Sequence, residues 1–283
     1  MLALSAGACA GPGPLDPSAQ PTVTPTAAAA TTSSATRIAV TGDSGTGDDQ
    51  ERSTVSEMVA QAQGHPYDAL LLLGDLVYPV GDPSKLDAVL TAPFAPVLDA
   101  GATLVPVLGN HDYGRGKQME ILSRLGRPSS WYVQQVGDVR IIVLDTERVD
   151  DPAQTQWLED TLAAQQDAGV WTVVAMHKPA YSAGDHGSSL GVRAAWAPLF
   201  DRYDVPLVLA GHDHDYQRST PQNGVVYVVS GAASELRPTG RESFTAVSTS
   251  TRHFLDLVAE GDRMVVRAID QQGNVLDTFT LTR

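Results

Sequence analysis

The sequence predicts an α/β fold: a mixed sandwich in a single compact domain, with an antiparallel sheet added towards the C-terminus. Between Arg37 and Ala210, short apolar runs alternate with segments of helical periodicity in the order βαβαβα. Beyond Ala210 only strand-like segments follow. A change of composition bounds the domain: residues 1–36 are of a different material, so the folded body is read as 37–283.

Arg37–Thr41 (RIAVT) reads as a buried strand. Asp49–Gln63 is helical, carrying Val55, Met58, Val59 and Ala62 at helical spacing. Ala69–Leu73 (ALLLL) is a continuous apolar run, as expected of a central strand covered on both faces. Lys85–Leu98 is helical with proline breaks, and Thr103–Leu108 is a strand. Trp131–Val136 and Val139–Leu144 flank Gly137-Asp138, a turn pair that makes them a hairpin. Asp151 caps a helix that starts at Pro152 and buries Trp157, Leu158 and Leu162. Val170–Met176 is a strand, Ser189–Tyr203 a helix and Val205–Ala210 a strand. Strands then run over 225–230, about 244–248, 253–258, 263–269 and 275–281.

Composition narrows the function. At 42% hydrophobic and 18% charged over 283 residues, the chain suits a soluble globular protein with a substantial core. A disordered protein, a coiled coil and a multi-span membrane protein are all excluded. Against 19 basic residues stand 33 acidic ones, a net charge of -14. That excludes a nucleic-acid binder working through its bulk field. An acidic chain can still bind an anion, provided something reverses the field locally. The single cysteine, Cys9, excludes an internal disulfide and any cysteine-ligated zinc or iron–sulfur site. The seven histidines are then the main soft ligands.

Residues 1–36 are mostly Ala, Pro, Ser, Thr and Gly, with Asp16 the one charged residue. Prolines 12, 14, 17, 21 and 25 block helix and sheet ladders, so this stretch reads as a flexible tether. Its start, MLALSAGACA, is similar to the end of a bacterial lipoprotein signal, which is cleaved just before a cysteine that is then lipidated. It departs from that pattern in having no Lys or Arg ahead of the apolar run, and Ala6 where Leu is usual. The expectation is a secreted or cell-surface lipoprotein, joined to a membrane only through a lipid on Cys9.

In α/β sheets, ligands bind beyond the carboxyl ends of the strands. Here those ends carry Gly42-Asp43-Ser44-Gly45, Gly74-Asp75-Leu76-Val77-Tyr78, Gly109-Asn110-His111-Asp112, His177-Lys178-Pro179 and Gly211-His212-Asp213-His214. Each fragment alone is weak, since a strand-end Asp commonly caps a helix and a lone His is commonly structural. All five in order, each at a strand end, point to a metal site. His65 and His253 fall outside the fragments and read as structural or exposed, and Asp213 and Asp215 as tuning their loop.

These fragments resemble the calcineurin-like metallophosphoesterases, whose pattern is D-x-[H/G], GD, GNH[D/E], a lone H and G-H-x-H. Most of that superfamily has a histidine two residues after the first aspartate; here Gly45 stands there and cannot ligate. Tyr78, three residues after Asp75, offers an oxygen instead, the pairing seen in purple acid phosphatases. Val228-Val229-Ser230-Gly231-Ala232 is similar to a further strand of that group. The resemblance is strong from Arg37 to Ala233, lacks the extra N-terminal β domain of the large plant members, and looks like the small form.

The resemblance implies a metallophosphatase-type α/β/β/α sandwich: two mixed sheets flanked by helices in a single domain. It implies two metal ions, Fe(III) on Asp43, Tyr78 and His214, and divalent Fe, Zn or Mn on Asn110, His177 and His212, with Asp75 bridging. Three anionic ligands and a bridging hydroxide against a trivalent and a divalent ion leave about one positive charge, the local reversal an anionic substrate needs. The activity implied is hydrolysis of a small phosphate monoester, acid phosphatase-like, by a metal-bound hydroxide attacking phosphorus, in a monomer. His111 would assist the leaving oxygen, Asp112 would orient His111, and His186 would be a second substrate contact or proton donor. A phosphodiesterase or nucleotide hydrolase on the same site is the alternative. A surface metal- or phosphate-binding protein without catalysis is the third reading, against which the intact His111 weighs.

Overall fold

The computed structural model describes residues 35–164 and 169–283. The expected leader, with Cys9 and Asp16, lies outside the described residues apart from Ala35 and Thr36. Thr36 already pairs opposite Ala259.

Thirteen strands divide between two sheets. The first contains β1 (Thr36–Thr41), β2 (Ala69–Leu72), β3 (Thr103–Pro106), β11 (His253–Glu260), β12 (Arg263–Asp270) and β13 (Val275–Thr282), in the order β13-β12-β11-β1-β2-β3. The second contains β4 (Tyr132–Val136), β5 (Val139–Val143), β6 (Trp171–Ala175), β7 (Leu207–Ala210), β8 (Tyr216–Ser219), β9 (Val226–Ser230) and β10 (Thr245–Thr249). Its order is β10-β8-β9-β7-β6-β5-β4. The late strands therefore form no sheet of their own. β11 pairs antiparallel with β1 and is followed by β12 and β13, each antiparallel to the strand before it, while β8 and β10 extend the second sheet.

Side-chain alternation explains the layering. Along β2, Leu71 points into a core shared by both sheets, with Val105, Ile141, Val173 and Val266, while Leu70 and Leu72 point the other way. That outer face is covered by α1 (Asp49–Gln61) and α2 (Ala92–Leu98), through Val55, Met58 and Phe94. The second sheet turns Ile142, Val174 and Val208 outwards onto α4 (Pro152–Ala163) and α5 (Leu190–Arg202), through Leu158, Trp196 and Phe200. The result is the α/β/β/α sandwich of two mixed sheets. A continuous apolar run such as ALLL is what a strand with a core on each face requires.

Caps follow the sequence closely. Asp151 accepts from Ala153 N–H ahead of Pro152, and Ser189 accepts from Val192 N–H at the start of α5. Four details differ. Residues 83–98 break into a 3₁₀ turn, a π turn and α2, because Pro93 and Pro96 supply no N–H to a continuous ladder. The helix α3 (Gln118–Arg124) and the strand β8 were not expected; both are too short to show a period. Val59 is exposed and Trp157 half-buried, whereas the buried residues of α1 include Glu51 and Thr54. Among the described residues, no helix is long and apolar enough to cross a membrane.

His253, at the start of β11, is fully buried, while His65 is exposed. Its Nδ1–H donates to Thr251 O at 2.8 Å, and Nε2 accepts from Ser230 Oγ at 2.9 Å. Burial lowers its pKa to about 4, opposed by the Thr251 hydrogen bond. Between an unfolded value of about 6.5 and this native value, the unfolded chain takes up a proton that the native chain refuses. Stability is therefore expected to fall as pH drops from about 6.5 to about 4, by about 3 kcal/mol from this group. Denaturant unfolding across that range should show a shallower dependence in His253→Gln than in the parent; equal slopes would refute the assignment.

Candidate metal centre

β1, β2 and β3 run parallel, as do β5, β6, β7 and β9, so the loops that follow the strands of each parallel set leave its sheet on one side. Asp43 follows β1 and Asp75 follows β2. Their loops are zipped together: Asp43 N–H donates to Gly74 O at 3.0 Å, Gly45 N–H to Asp75 O at 3.1 Å, and Tyr78 N–H to Gly45 O at 2.9 Å. At Gly45 a Cβ would stand 2.2 Å from the carbonyl carbon and oxygen of Leu76, so no histidine fits there. Asp43, Asp75 and His212 all hold left-handed backbone, with φ of 57°, 52° and 74°. Non-glycine residues adopt it rarely, and mostly where a functional geometry imposes it.

Carboxylate oxygens of Asp43 and Asp75 and a ring nitrogen of His177 lie within 4.8 Å of one another, all three residues being buried. Tyr78 Oη is 3.0 Å from Asp75 Oδ2, 3.3 Å from Asp43 Oδ1 and 3.2 Å from His214 Nε2. On the other side, His177 Nε2 is 3.0 Å from Asn110 Oδ1 and 3.5 Å from Asp75 Oδ1. The His212 ring stands edge-on to His177 with centroids 5.0 Å apart, and its backbone N–H donates to Asp43 Oδ2 at 2.8 Å. The structure thus gathers Asp43, Asp75, Tyr78, Asn110, His177, His212 and His214.

This donor set is short of protons. A carbonyl only accepts, so His177 Nδ1, 2.8 Å from Leu73 O, carries the hydrogen of the neutral ring. Nε2, beside the Asn110 and Asp75 oxygens, can then offer a lone pair to a metal ion that displaces any proton held there. Tyr78 has one hydroxyl proton for three acceptors. Burial raises the Asp43 carboxyl above the usual range, and the charge of Asp75 adds to this, while His214 and His177 act against it. Burial and the two aspartates raise the Tyr78 hydroxyl as well, so a phenolate forms there only beside a strongly charged cation. Burial works to lower His177, but Asp75 and Asp43 outweigh it and hold the ring above its ordinary value. Burial and neighbouring cationic groups take His212 down to about 2, which keeps it a neutral donor. Mixed oxygen and nitrogen lone pairs converging on one buried space fit a metal ion.

The remaining expected residues divide. The His111 backbone N–H donates to Asp75 Oδ1 at 2.9 Å, and its ring Nδ1–H donates to Pro79 O at 2.6 Å. Asp112 does not orient that ring. One of its oxygens accepts from Gly109 N–H at 2.8 Å and Leu76 N–H at 3.1 Å, the other from Val77 N–H at 3.0 Å. It is a strut between two site loops, and Pro79 O aligns His111 instead. The His186 ring lies 4.4 Å from the His212 ring, at the rim. Asp213 accepts from the Ser182 hydroxyl and from His186 N–H at 2.8 Å, docking the His186 loop onto the Gly211–His214 loop. Asp215 accepts from Gln217 Nε2 at 2.9 Å. The sequence reading missed Glu235, whose Oε2 is 3.5 Å from His214 Nδ1, and Arg237, whose backbone N–H donates to His214 O at 3.0 Å. Their only signal was charge in the loop after Val228–Ala232.

Gly45→Ala should drive a methyl group into the Leu76 backbone and part the Asp43 and Asp75 loops. The expected cost is about 1–3 kcal/mol, with reduced metal content, read by thermal unfolding and elemental analysis. Wild-type Tm and metal content together would overturn the close-packing argument.

Comparison with known proteins agrees with this geometry. The pattern of the calcineurin-like phosphoesterase family matches residues 36–216. Human tartrate-resistant acid phosphatase type 5 is 30% identical over 226 residues, which is 68% of this chain and 69% of that protein. An uncharacterized protein of Mycobacterium tuberculosis is 39% identical over 113 residues, covering 34% of this chain but only 21% of its own length. Among solved structures, a purple acid phosphatase from yellow lupin (Lupinus luteus) seeds superposes with a TM-score of 0.78 at 20% identity, over 89% of this chain and 54% of that one. The shared fold, the matched pattern and the strand-end ligand loops together make this chain a member of the calcineurin-like phosphoesterase family.

Proposed function

We propose that this chain hydrolyses phosphate monoesters, in the manner of an acid phosphatase, at a centre of two metal ions. The observation that carries the reading is the division of Asp75: Oδ2 faces Tyr78 at 3.0 Å, and Oδ1 faces His177 at 3.5 Å. One carboxylate is thereby offered to two donor groups, as a bridging ligand must be. Asp43, Tyr78 and His214 would hold Fe(III), since hard oxygens and a phenolate suit a trivalent ion. Asn110, His177 and His212 would hold divalent Fe, Zn or Mn. The human relative, named as an acid phosphatase, supports the same reading.

Bound there, the two ions would supply positive charge for a phosphate dianion and acidity to water. The chain's own groups do the rest. Nδ1–H donation to Pro79 O holds the His111 ring and leaves Nε2 as its reactive nitrogen, 3.9 Å from Asp75 Oδ2, on a side chain 35% exposed. A protonated Nε2 there can pass its proton to the leaving oxygen. His186, beside His212, is a second group at the substrate's edge. The leader pattern around Cys9 supports a location outside the cytoplasm.

Metal analysis alongside p-nitrophenyl phosphate and its bis-ester tests the reading. Expected are about two metal ions per chain, faster turnover of the monoester, and a visible charge-transfer absorption that Tyr78→Phe abolishes. Turnover of neither ester by metal-loaded protein would sink the enzyme reading, and a faster diester would turn it to phosphodiesterase. A colourless active protein holding only divalent ions would refute the iron assignment alone. His111→Ala should keep its metal and lose about 10²–10⁴-fold in turnover; unchanged turnover would remove its role.

A further inference from the structure

Outside the ligand set, the least explained charge near the centre is Arg237. Its backbone is fixed at both ends: N–H donates to His214 O at 3.0 Å, and its carbonyl accepts from Ser250 Oγ at 2.7 Å. The loop that carries it is paired to the His186 loop through a Gly184–Thr239 bridge and a Gly240 N–H to Ala183 O bond of 2.9 Å. The His186 loop is in turn docked on Asp213, between His212 and His214. Both arms are therefore held against the centre by backbone.

The guanidinium is not used up by its neighbours. Nη1 is 3.1 Å from His186 Nδ1 and 3.0 Å from Nε2, so both imidazole contacts fall on one guanidinium nitrogen. It is 3.5 Å from Oδ2 of Asp185, whose side chain is 58% exposed, a solvent-screened pair of small worth. Among the described residues these contacts all use Nη1. A guanidinium presents a planar fork of five N–H donors that matches an oxyanion with two bonds. With 33 acidic residues in the chain, a cation held at this rim marks where a second negative group is wanted.

We propose that Arg237 is a substrate-binding residue that reads a second oxyanion on the phosphoester, so that the preferred substrates are phosphomonoesters whose leaving group carries its own carboxylate or phosphoryl group. His186 separates the guanidinium from His212, so the recognised oxyanion stands a few bonds from the phosphorus that reacts. The assignment rests on the phosphoester reading above for the identity of the first anion.

Binding of non-hydrolysable phosphonates to the metal-loaded full chain tests it without turnover. Propylphosphonate, 3-phosphonopropionate and ethane-1,2-diphosphonate share a two-carbon spacer and differ in the terminal group. Calorimetry should show the wild type binding one or both doubly anionic compounds roughly tenfold more tightly than propylphosphonate. That ratio should fall to about one in Arg237→Ala and be partly kept in Arg237→Lys. Which compound shows the preference identifies the oxyanion as carboxylate or phosphoryl. Propylphosphonate binding in each variant reports an intact first-anion site. An unchanged ratio in Arg237→Ala, with propylphosphonate still bound, overturns the role of Arg237 alone. Binding of none of the three, with metals present, overturns the phosphoester reading and this assignment with it.

Discussion

Two carboxylates, Asp43 and Asp75, are buried side by side at the ends of adjacent parallel strands, and the rest of the structure is arranged around that juxtaposition. Among the described residues, neither has a basic side chain with a fixed charge to balance it. What surrounds them is a tyrosine hydroxyl, three imidazoles and an amide oxygen, all able to give lone pairs. In a dry space such a cluster is costly unless a multivalent cation takes the lone pairs. Metal binding and the integrity of these loops are therefore expected to be linked, since an ion held there would be the counter-charge of the buried carboxylates.

Holding the cluster requires backbone to come very close to backbone. Asp112 shows how this is done: its two oxygens collect amide hydrogens from Leu76, Val77 and Gly109, tying the second and third strand-end loops into one body. Burial first, and then the charge of Asp75, raise its pKa to about 7, against the amide hydrogen bonds that lower it. Asp213 plays the same part on the other sheet, where it captures Ser182 and His186. Carboxylates that look like ligands by position are thus spent on joining loops. That frees the loops from needing helices or strands of their own while they keep the ligands in place.

Under the proposed function, the same construction explains how a chain of net charge -14 would serve an anionic substrate. Bulk charge acts over the Debye length and is screened, whereas the field where phosphate sits is set by ions and side chains a few ångströms away. Under the proposed function, His111, His186 and Arg237, on three different loops, would supply donors where the negative charge of the substrate accumulates.

Much of this was readable from the sequence. The strand-end fragments named the residues that the structure gathers, because Asp, Asn, His and Tyr have no packing reason to recur where apolar runs stop. The alternation of runs predicted β1, α1, β2, the hairpin of β4 and β5, the helix from Ser189 and the cap at Asp151. Short elements such as α3 and β8 escaped, since one or two turns carry no period. What residue order could not decide was partnership across distance. The late strands were expected as a sheet of their own, but β11 pairs with β1 and β8 with β9, because each open sheet edge needs a hydrogen-bonding neighbour. Asp112 was expected to orient its sequence neighbour, yet it bonds amides of a loop from another strand. Arg237 had no motif at all; its N–H bond to His214 O and the pairing of its loop with the His186 loop bring it to the site. Chemistry of individual positions was written locally in the chain; the choice of which groups face one another was made by strand pairing and loop docking, which join residues too far apart in sequence for any local pattern to record.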